Sequence, residues 1–121
     1  MKEKETDIVK AILDYLAYKH IIAWRNQSGM LISSYKGKER AIRLGKKGVA
    51  DIIGVFPDGS GRIMCLEVKT QIGKPTPEQS EFLESVREAG GIAEIVRSIE
   101  DVIKLIKPSQ EYYKRKIKEL E

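Results

Sequence analysis

A single cysteine and a single histidine among 121 residues set aside several kinds of chemistry at once. Cys65 has no partner for an internal disulfide, which suits a reducing compartment, and it reads as a small core residue of a strand. His20 falls at a helix end, where it suits the helix dipole, and it reads as that rather than as a ligand. Histidine-based triads and histidine-rich zinc sites are excluded from this chain alone. Aromatic residues make up only 7%, and Trp24 and the tyrosines read as core rather than as stacking platforms. No apolar run approaches a membrane span, and Met1-Lys2-Glu3-Lys4-Glu5 lacks the apolar stretch of a signal peptide. The expectation is a cytoplasmic, intracellular protein with no membrane contact.

What the chain does have is charge. Charged residues are 33% and hydrophobic residues 41%, a balance that builds a soluble globular domain rather than a disordered chain. The net charge of +4 and a pI near 9.1 lean towards a polyanionic partner.

Ile8, Ile12, Tyr15 and Leu16, flanked by Val9 and Leu13, recur at helical spacing over residues 5–19. Residues 21–24 read as a short strand, followed by the polar cluster Arg25-Asn26-Gln27-Ser28-Gly29. From Met30 to Gly48 the pattern weakens: Leu31-Ile32 suits a strand and Lys36-Gly37-Lys38 a turn. Lys36, Lys38, Arg40, Arg43, Lys46 and Lys47 make this stretch basic, with Glu39 its only acid. Lys36, Lys38, Lys46 and Lys47 are therefore candidates for phosphate contact. Residues 49–56 and 62–69 read as two strands around a turn at 57–61. Thr76 and Pro77 signal a helix start, and Gly90-Gly91 its end. Residues 92–96 form a further strand, and Ser98 caps a helix that stops before Pro108. The division is one domain over residues 1–107 and a charged amphipathic helix over 108–121, with Tyr113, Ile117 and Leu120 on one side. This order of elements predicts an α/β fold, a central mixed sheet flanked by helices.

Chemistry concentrates on the strand pair. The strand period of two puts Glu67 and Lys69 on one face and Met64, Leu66 and Val68 on the other. A carboxylate and an ammonium in apolar company are costly to desolvate unless they serve one another or a ligand. Asp51 interrupts the preceding apolar strand and raises the same problem, which a cation resolves. Two carboxylates on neighbouring strands are what a hard divalent cation prefers, and a lysine beside them suits attack of water on a phosphate. A lone Glu-x-Lys is expected by chance in a chain this rich in both residues, so its weight comes from the surrounding strand and from Asp51. Glu5 lies three residues before Ile8 and seven before Ile12, so it is expected to share the buried stripe of the first helix. A helix N-terminus also stabilises a carboxylate without any catalysis. Gln79 stands where a capping box reaches back to Thr76, yet it shares a face with Phe82, Leu83 and Val86.

Taken in order, these pieces resemble the VRR-NUC branch, the virus-type replication-repair nucleases, of the PD-(D/E)XK nuclease superfamily. They are Glu5, Trp24-Arg25-Asn26 with Ser28-Gly29, Gly48-Val49-Ala50-Asp51-Ile52, Glu67-Val68-Lys69, Pro77-Glu78-Gln79 and Ala89-Gly90-Gly91, spread over residues 3–107. The name-giving Pro-Asp is Ala50-Asp51 here. The resemblance implies a restriction-endonuclease-like fold and a DNA endonuclease dependent on Mg²⁺ or Mn²⁺. By the same resemblance, Asp51, Glu67 and the main-chain carbonyl of Val68 hold the ion, and Lys69 orients or deprotonates the attacking water. Glu5 then organises metal or water, Gln79 contacts the active site, and Arg25, Asn26, Gln27 and Ser28 lie near the scissile phosphate. Branched DNA of the Holliday-junction kind, a homodimer and a bacterial or phage-infected cell are further expectations of the resemblance. Two other readings stand beside it: a non-catalytic nucleic-acid-binding module of the same fold, and a nuclease acting on linear duplex DNA.

Overall fold

The computed structural model describes residues 4–27, 29–44 and 48–120, with backbone alone at 29–35, 39–44 and 110–113. Helix α1 (Glu5–Tyr18) forms because Ile8, Val9, Ile12 and Leu16 make one buried stripe. It ends with His20 in the left-handed region at φ 59. The N–H of His20 donates to the Ala17 carbonyl at 3.0 Å and that of Ile21 to the Leu16 carbonyl at 2.9 Å, which satisfies two of the carbonyls a helix end leaves open.

Strand β1 (Ala23–Arg25) follows. It starts later than the expected 21–24 because Ile21 is spent on closing the helix. The stretch with the weak pattern is a hairpin: β2 (Gly29–Tyr35) and β3 (Lys38–Leu44) pair antiparallel from Gly29↔Leu44 to Tyr35↔Lys38. Lys36 and Gly37 both have positive φ, 50 and 73, the primed-turn geometry whose twist matches two antiparallel strands.

Strands β4 (Ile52–Val55) and β5 (Ile63–Val68) are both shorter than the runs 49–56 and 62–69. Helix α2 (Pro77–Glu88) starts with a complete capping box between Thr76 and Gln79, and β6 (Ile92–Val96) follows it. The expectation that the next helix stops before Pro108 is overturned: α3 runs from Ile99 to Leu120 with Pro108 inside. A proline there forfeits one helical hydrogen bond and costs about 3 kcal/mol. The helix-favouring Gln, Glu, Lys and Arg residues beyond it carry the helix on.

The four-stranded sheet has the order β1-β4-β5-β6, antiparallel up to β5 and parallel between β5 and β6. On one face Met64, Leu66 and Val68 pack with Ile8, Ile12 and Leu16 of α1 and Val102 and Ile106 of α3. On the other, Cys65 packs with Leu83 and Val86 of α2 beside Ala50 and Ala93. The interior strand β5 is thus buried on both faces, and each fully buried Leu or Met side chain contributes ~2 kcal/mol. Cys65 is a core residue as expected, and burial pushes its thiol up to about 11. Trp24 is not: it stands 52% exposed on the edge strand β1. No helix among the described residues is long and apolar enough to cross a membrane.

Candidate active site

The strand ends decide where the charges meet. In the β4–β5 register Ile52 faces Leu66 and is the last pair, so β5 continues past the end of β4. Asp51 sits in the bend before β4, and its carboxylate Oδ2 accepts the Val68 N–H at 2.8 Å. The carboxylate takes the place of the missing strand partner, a charge-assisted hydrogen bond of the stronger kind. A residue's N–H and C=O leave a strand on the same edge, so the Val68 carbonyl faces the Asp51 side as well. The main-chain carbonyl of Asp51 in turn accepts the Asn26 N–H at 2.8 Å.

Glu67 follows Cys65 by one strand period and therefore points to the same face. It is 1% exposed, and its Oε2 is buried without a hydrogen-bond partner. Its Oε1 lies 3.6 Å from Lys69 Nζ. Burial is the main force pushing the Glu67 carboxyl up to about 8, and the negative charge of Asp51 and a hydrogen bond with it push the same way; Lys69 opposes them. Lys69 is 9% exposed, and its backbone N–H donates to the Val96 carbonyl at 3.0 Å. Its ammonium also reaches Glu5 Oε1 at 3.7 Å. Asp51, Glu67, Lys69 and Glu5 therefore form one constellation, built from two strand ends and the start of α1.

Glu5 arrives by a different route from the one its spacing suggests. Its side chain is 48% exposed and is not part of the buried stripe of Ile8, Val9, Ile12 and Leu16; from the first residue of α1 the carboxylate faces Lys69 and solvent. Gln79 is committed to the helix start: its Oε1 accepts the Thr76 N–H at 2.9 Å, and its own N–H donates to Thr76 Oγ1 at 3.2 Å. Arg25 is exposed at the end of β1 opposite Ile52. Asn26 is tied to Asp51 through its backbone, and its Nδ2 is buried without a partner. Gln27 is exposed. Lys36 and Lys38 are exposed at the tip of the β2–β3 hairpin, which at the usual strand rise stands about 20 Å from its base. Ser28, Lys46 and Lys47 lie outside the described residues. A cavity of about 490 Å³ lined by Lys19, His20, Ile22 and Phe56, among others, lies at the other ends of α1 and β4 and contains none of these residues.

Sequence reasoning misses the Asp51–Val68 bond, since the apolar run 49–56 makes Asp51 look like a strand residue. It also misses Arg97, whose guanidinium donates to the Thr70 and Gly73 carbonyls just beyond Lys69. An arginine between a strand and a helix cap is the signal that points to it.

A divalent ion fits the donors present. The unpartnered Glu67 Oε2 is a buried carboxylate oxygen awaiting a cation or a proton, and the adjacent Asp51 carboxylate makes the pair costly without one. No cluster of three or more His, Cys, Asp or Glu that could hold a metal occurs among the described residues. That donor set suits a hard cation that retains several waters and takes two carboxylates with a carbonyl, rather than a closed structural site.

Compared with known proteins, residues 3–100 match the family model of the VRR-NUC domain. No curated protein and no solved structure matches the chain. With most of its length, both strands of the site and the start of α1 inside the match, the chain belongs to the VRR-NUC family, a nuclease family.

Proposed function

We propose that the protein is a DNA endonuclease dependent on Mg²⁺ or Mn²⁺ that cuts branched DNA as a homodimer. The observation that carries this is the buried Glu67 carboxylate with one oxygen unpartnered, held between Asp51 and the Lys69 ammonium. Asp51, Glu67 and the Val68 carbonyl would hold the ion, which when bound polarises the phosphate and makes water more acidic. Asp51 is oriented for this by the Val68 N–H, and Glu67 by the two-sided burial of β5. Lys69 orients the water and offsets the charge that builds on the phosphate oxygens. The water oxygen bonds to phosphorus in line as the bond to the 3′-oxygen breaks, leaving a 5′-phosphate and a 3′-oxygen that takes a proton from solvent water to become a 3′-hydroxyl. Glu5 holds the far side of the Lys69 ammonium and can take up the proton that water loses. Lys36 and Lys38 at the hairpin tip contact phosphates away from the cut, which positions DNA without reading sequence.

A two-fold symmetric junction has opposed strands that one site cannot reach together, and a twofold dimer supplies two. Exposed Ile117 and Leu120 on α3 offer apolar surface for such an interface. The experiment is cleavage of labelled four-way, flap and linear DNA, with Mg²⁺ or Mn²⁺ and with excess chelator, alongside sedimentation of the protein. Metal-dependent paired nicks in four-way DNA by a dimer are expected. Cleavage that persists in chelator would overturn the metal role, equal cleavage of linear duplex the preference for branches, and a monomer cutting in paired nicks the dimer.

A further inference from the structure

We infer that Arg97 is a positioning residue that holds Lys69 in the active site by clamping the turn at residues 70–73. The inference deepens the nuclease reading and rests on it for the catalytic consequence, though not for the geometry. The Lys69 ammonium stands 3.6 Å from Glu67 and 3.7 Å from Glu5, beyond hydrogen-bond distance. Those ion pairs attract the ammonium without fixing it. A lysine stem carries about 2 kcal/mol of rotamer entropy, so something else must wall it in.

The wall is the turn. An added Cβ on Gly73 would lie 3.5 Å from Lys69 Cδ and 3.2 Å from Thr70 Oγ1, which places the backbone of Gly73 against the lysine stem. The Gly73 N–H donates to the Thr70 carbonyl and to Thr70 Oγ1, each at 3.2 Å. Arg97 closes the arrangement: Nη1 donates to the Thr70 carbonyl at 2.5 Å and the Gly73 carbonyl at 2.8 Å. The arginine is itself fixed, because its backbone N–H donates to Asp101 Oδ2 at 2.8 Å and the Asp101 N–H to Ser98 Oγ at 3.3 Å. The start of α3 is thus rigidly connected, through one guanidinium, to the stem of Lys69.

The test labels lysines with an acylating reagent and reads each site by mass spectrometry, with exposed Lys19 as internal standard. In Arg97→Ala, labelling of Lys69 should rise by up to roughly tenfold, since its side chain is now only 11% exposed, while Lys19 is unchanged. Turnover at saturating DNA should fall about a hundredfold with KM unchanged, the expected effect of a displaced reacting group. Arg97→Lys should lie between the two, because both bonds leave the single Nη1 and an ammonium can donate to two carbonyls, but a lysine Nζ ends one bond short of that position on a more flexible stem. Should Arg97→Ala not fold, Thr70→Val removes the hydroxyl that binds Gly73 in the same turn and should give the same selective rise at Lys69. Unchanged Lys69 labelling in a folded variant overturns the inference, and so does a uniform rise across all lysines, which would signal only lost stability. Selective Lys69 labelling in a protein that cleaves no DNA would sustain the positioning role and sink the nuclease reading instead.

Discussion

Replacing Glu67 by glutamine should make the metal-free protein more stable at neutral pH, not less. Burial, with Asp51 beside it, raises the folded Glu67 carboxyl from about 4.5 to about 8. Because the folded value is the higher one, the folded state keeps a proton that the unfolded chain releases. The stabilising contribution is complete below the unfolded value and is lost as pH rises through the folded value, at ~1.4 kcal/mol per pH unit inside that window. By about pH 7 the loss amounts to ~3 kcal/mol. Glu67→Gln keeps the shape of the protonated acid and has nothing to ionise, so this slope disappears. An amide hydrogen left unpaired costs about 1–2 kcal/mol in return, leaving a net gain of about 1–2 kcal/mol near neutrality. The assay is urea unfolding from about pH 5 to about pH 8 in chelator and again with Mg²⁺. Wild type should lose stability across the window in chelator and regain it with Mg²⁺, whereas the variant should be flat and indifferent to the ion. Parallel pH curves for the two proteins in chelator would refute the reasoning, because Glu67 would then carry no displaced proton.

Lys69→Ala should lower turnover ~10²-fold or more while Mg²⁺ still stabilises the protein, since both carboxylates remain; normal cleavage by that variant would remove the lysine from the mechanism. DNA binding should weaken steeply with salt, and reversal of Lys36 and Lys38 to glutamate should reduce the log–log salt slope by about one unit for each phosphate that no longer meets a lysine. Affinity should fall equally on every sequence, and a fall confined to a single sequence would point to base readout. His20→Gly should stabilise the fold by up to ~1 kcal/mol, because His20 holds a left-handed conformation that glycine adopts without a Cβ clash. Thermal unfolding decides it: an unchanged or lowered midpoint would mean that the imidazole makes compensating contacts.

The elements legible in the sequence are those whose local signals agree with their tertiary setting. The α1 stripe, the Thr76–Gln79 capping box, the strand at 92–96 and the alternation along β5 each carry their own period or cap, and the fold has each of them in place. The β2–β3 hairpin is hard to read because β3 mixes apolar with basic residues and its primed turn uses Lys36 at positive φ, where asparagine or aspartate is the usual sign. α3 reads short because Pro108 normally ends a helix, and the propensity of the following residues outweighs that local rule. Trp24 reads as core from its type alone, but an edge strand leaves one side of it to solvent.

The site is legible to the extent that it follows strand geometry. Glu67 and Lys69 share a face by the period of two, and that holds because β5 is regular as far as Val68. Two contacts are invisible in the sequence for a definite reason: each depends on where an element ends, and boundaries are the least sharply encoded part of a sequence. Asp51 meets Val68 only because β4 stops at Ile52 while β5 runs on; two more residues of β4 in the same register would have brought the Ala50 carbonyl opposite Val68 and turned the carboxylate away. Glu5 meets Lys69 because α1 starts at that very residue, which leaves its side chain half exposed and off the buried stripe. The charged residues are gathered where strands and helix run out, since there a carboxylate can replace a missing ladder partner and still face water. A site assembled this way needs its flexible member, the long Lys69 side chain, held by something other than the ladder. The turn that follows β5 is the nearest backbone able to do so.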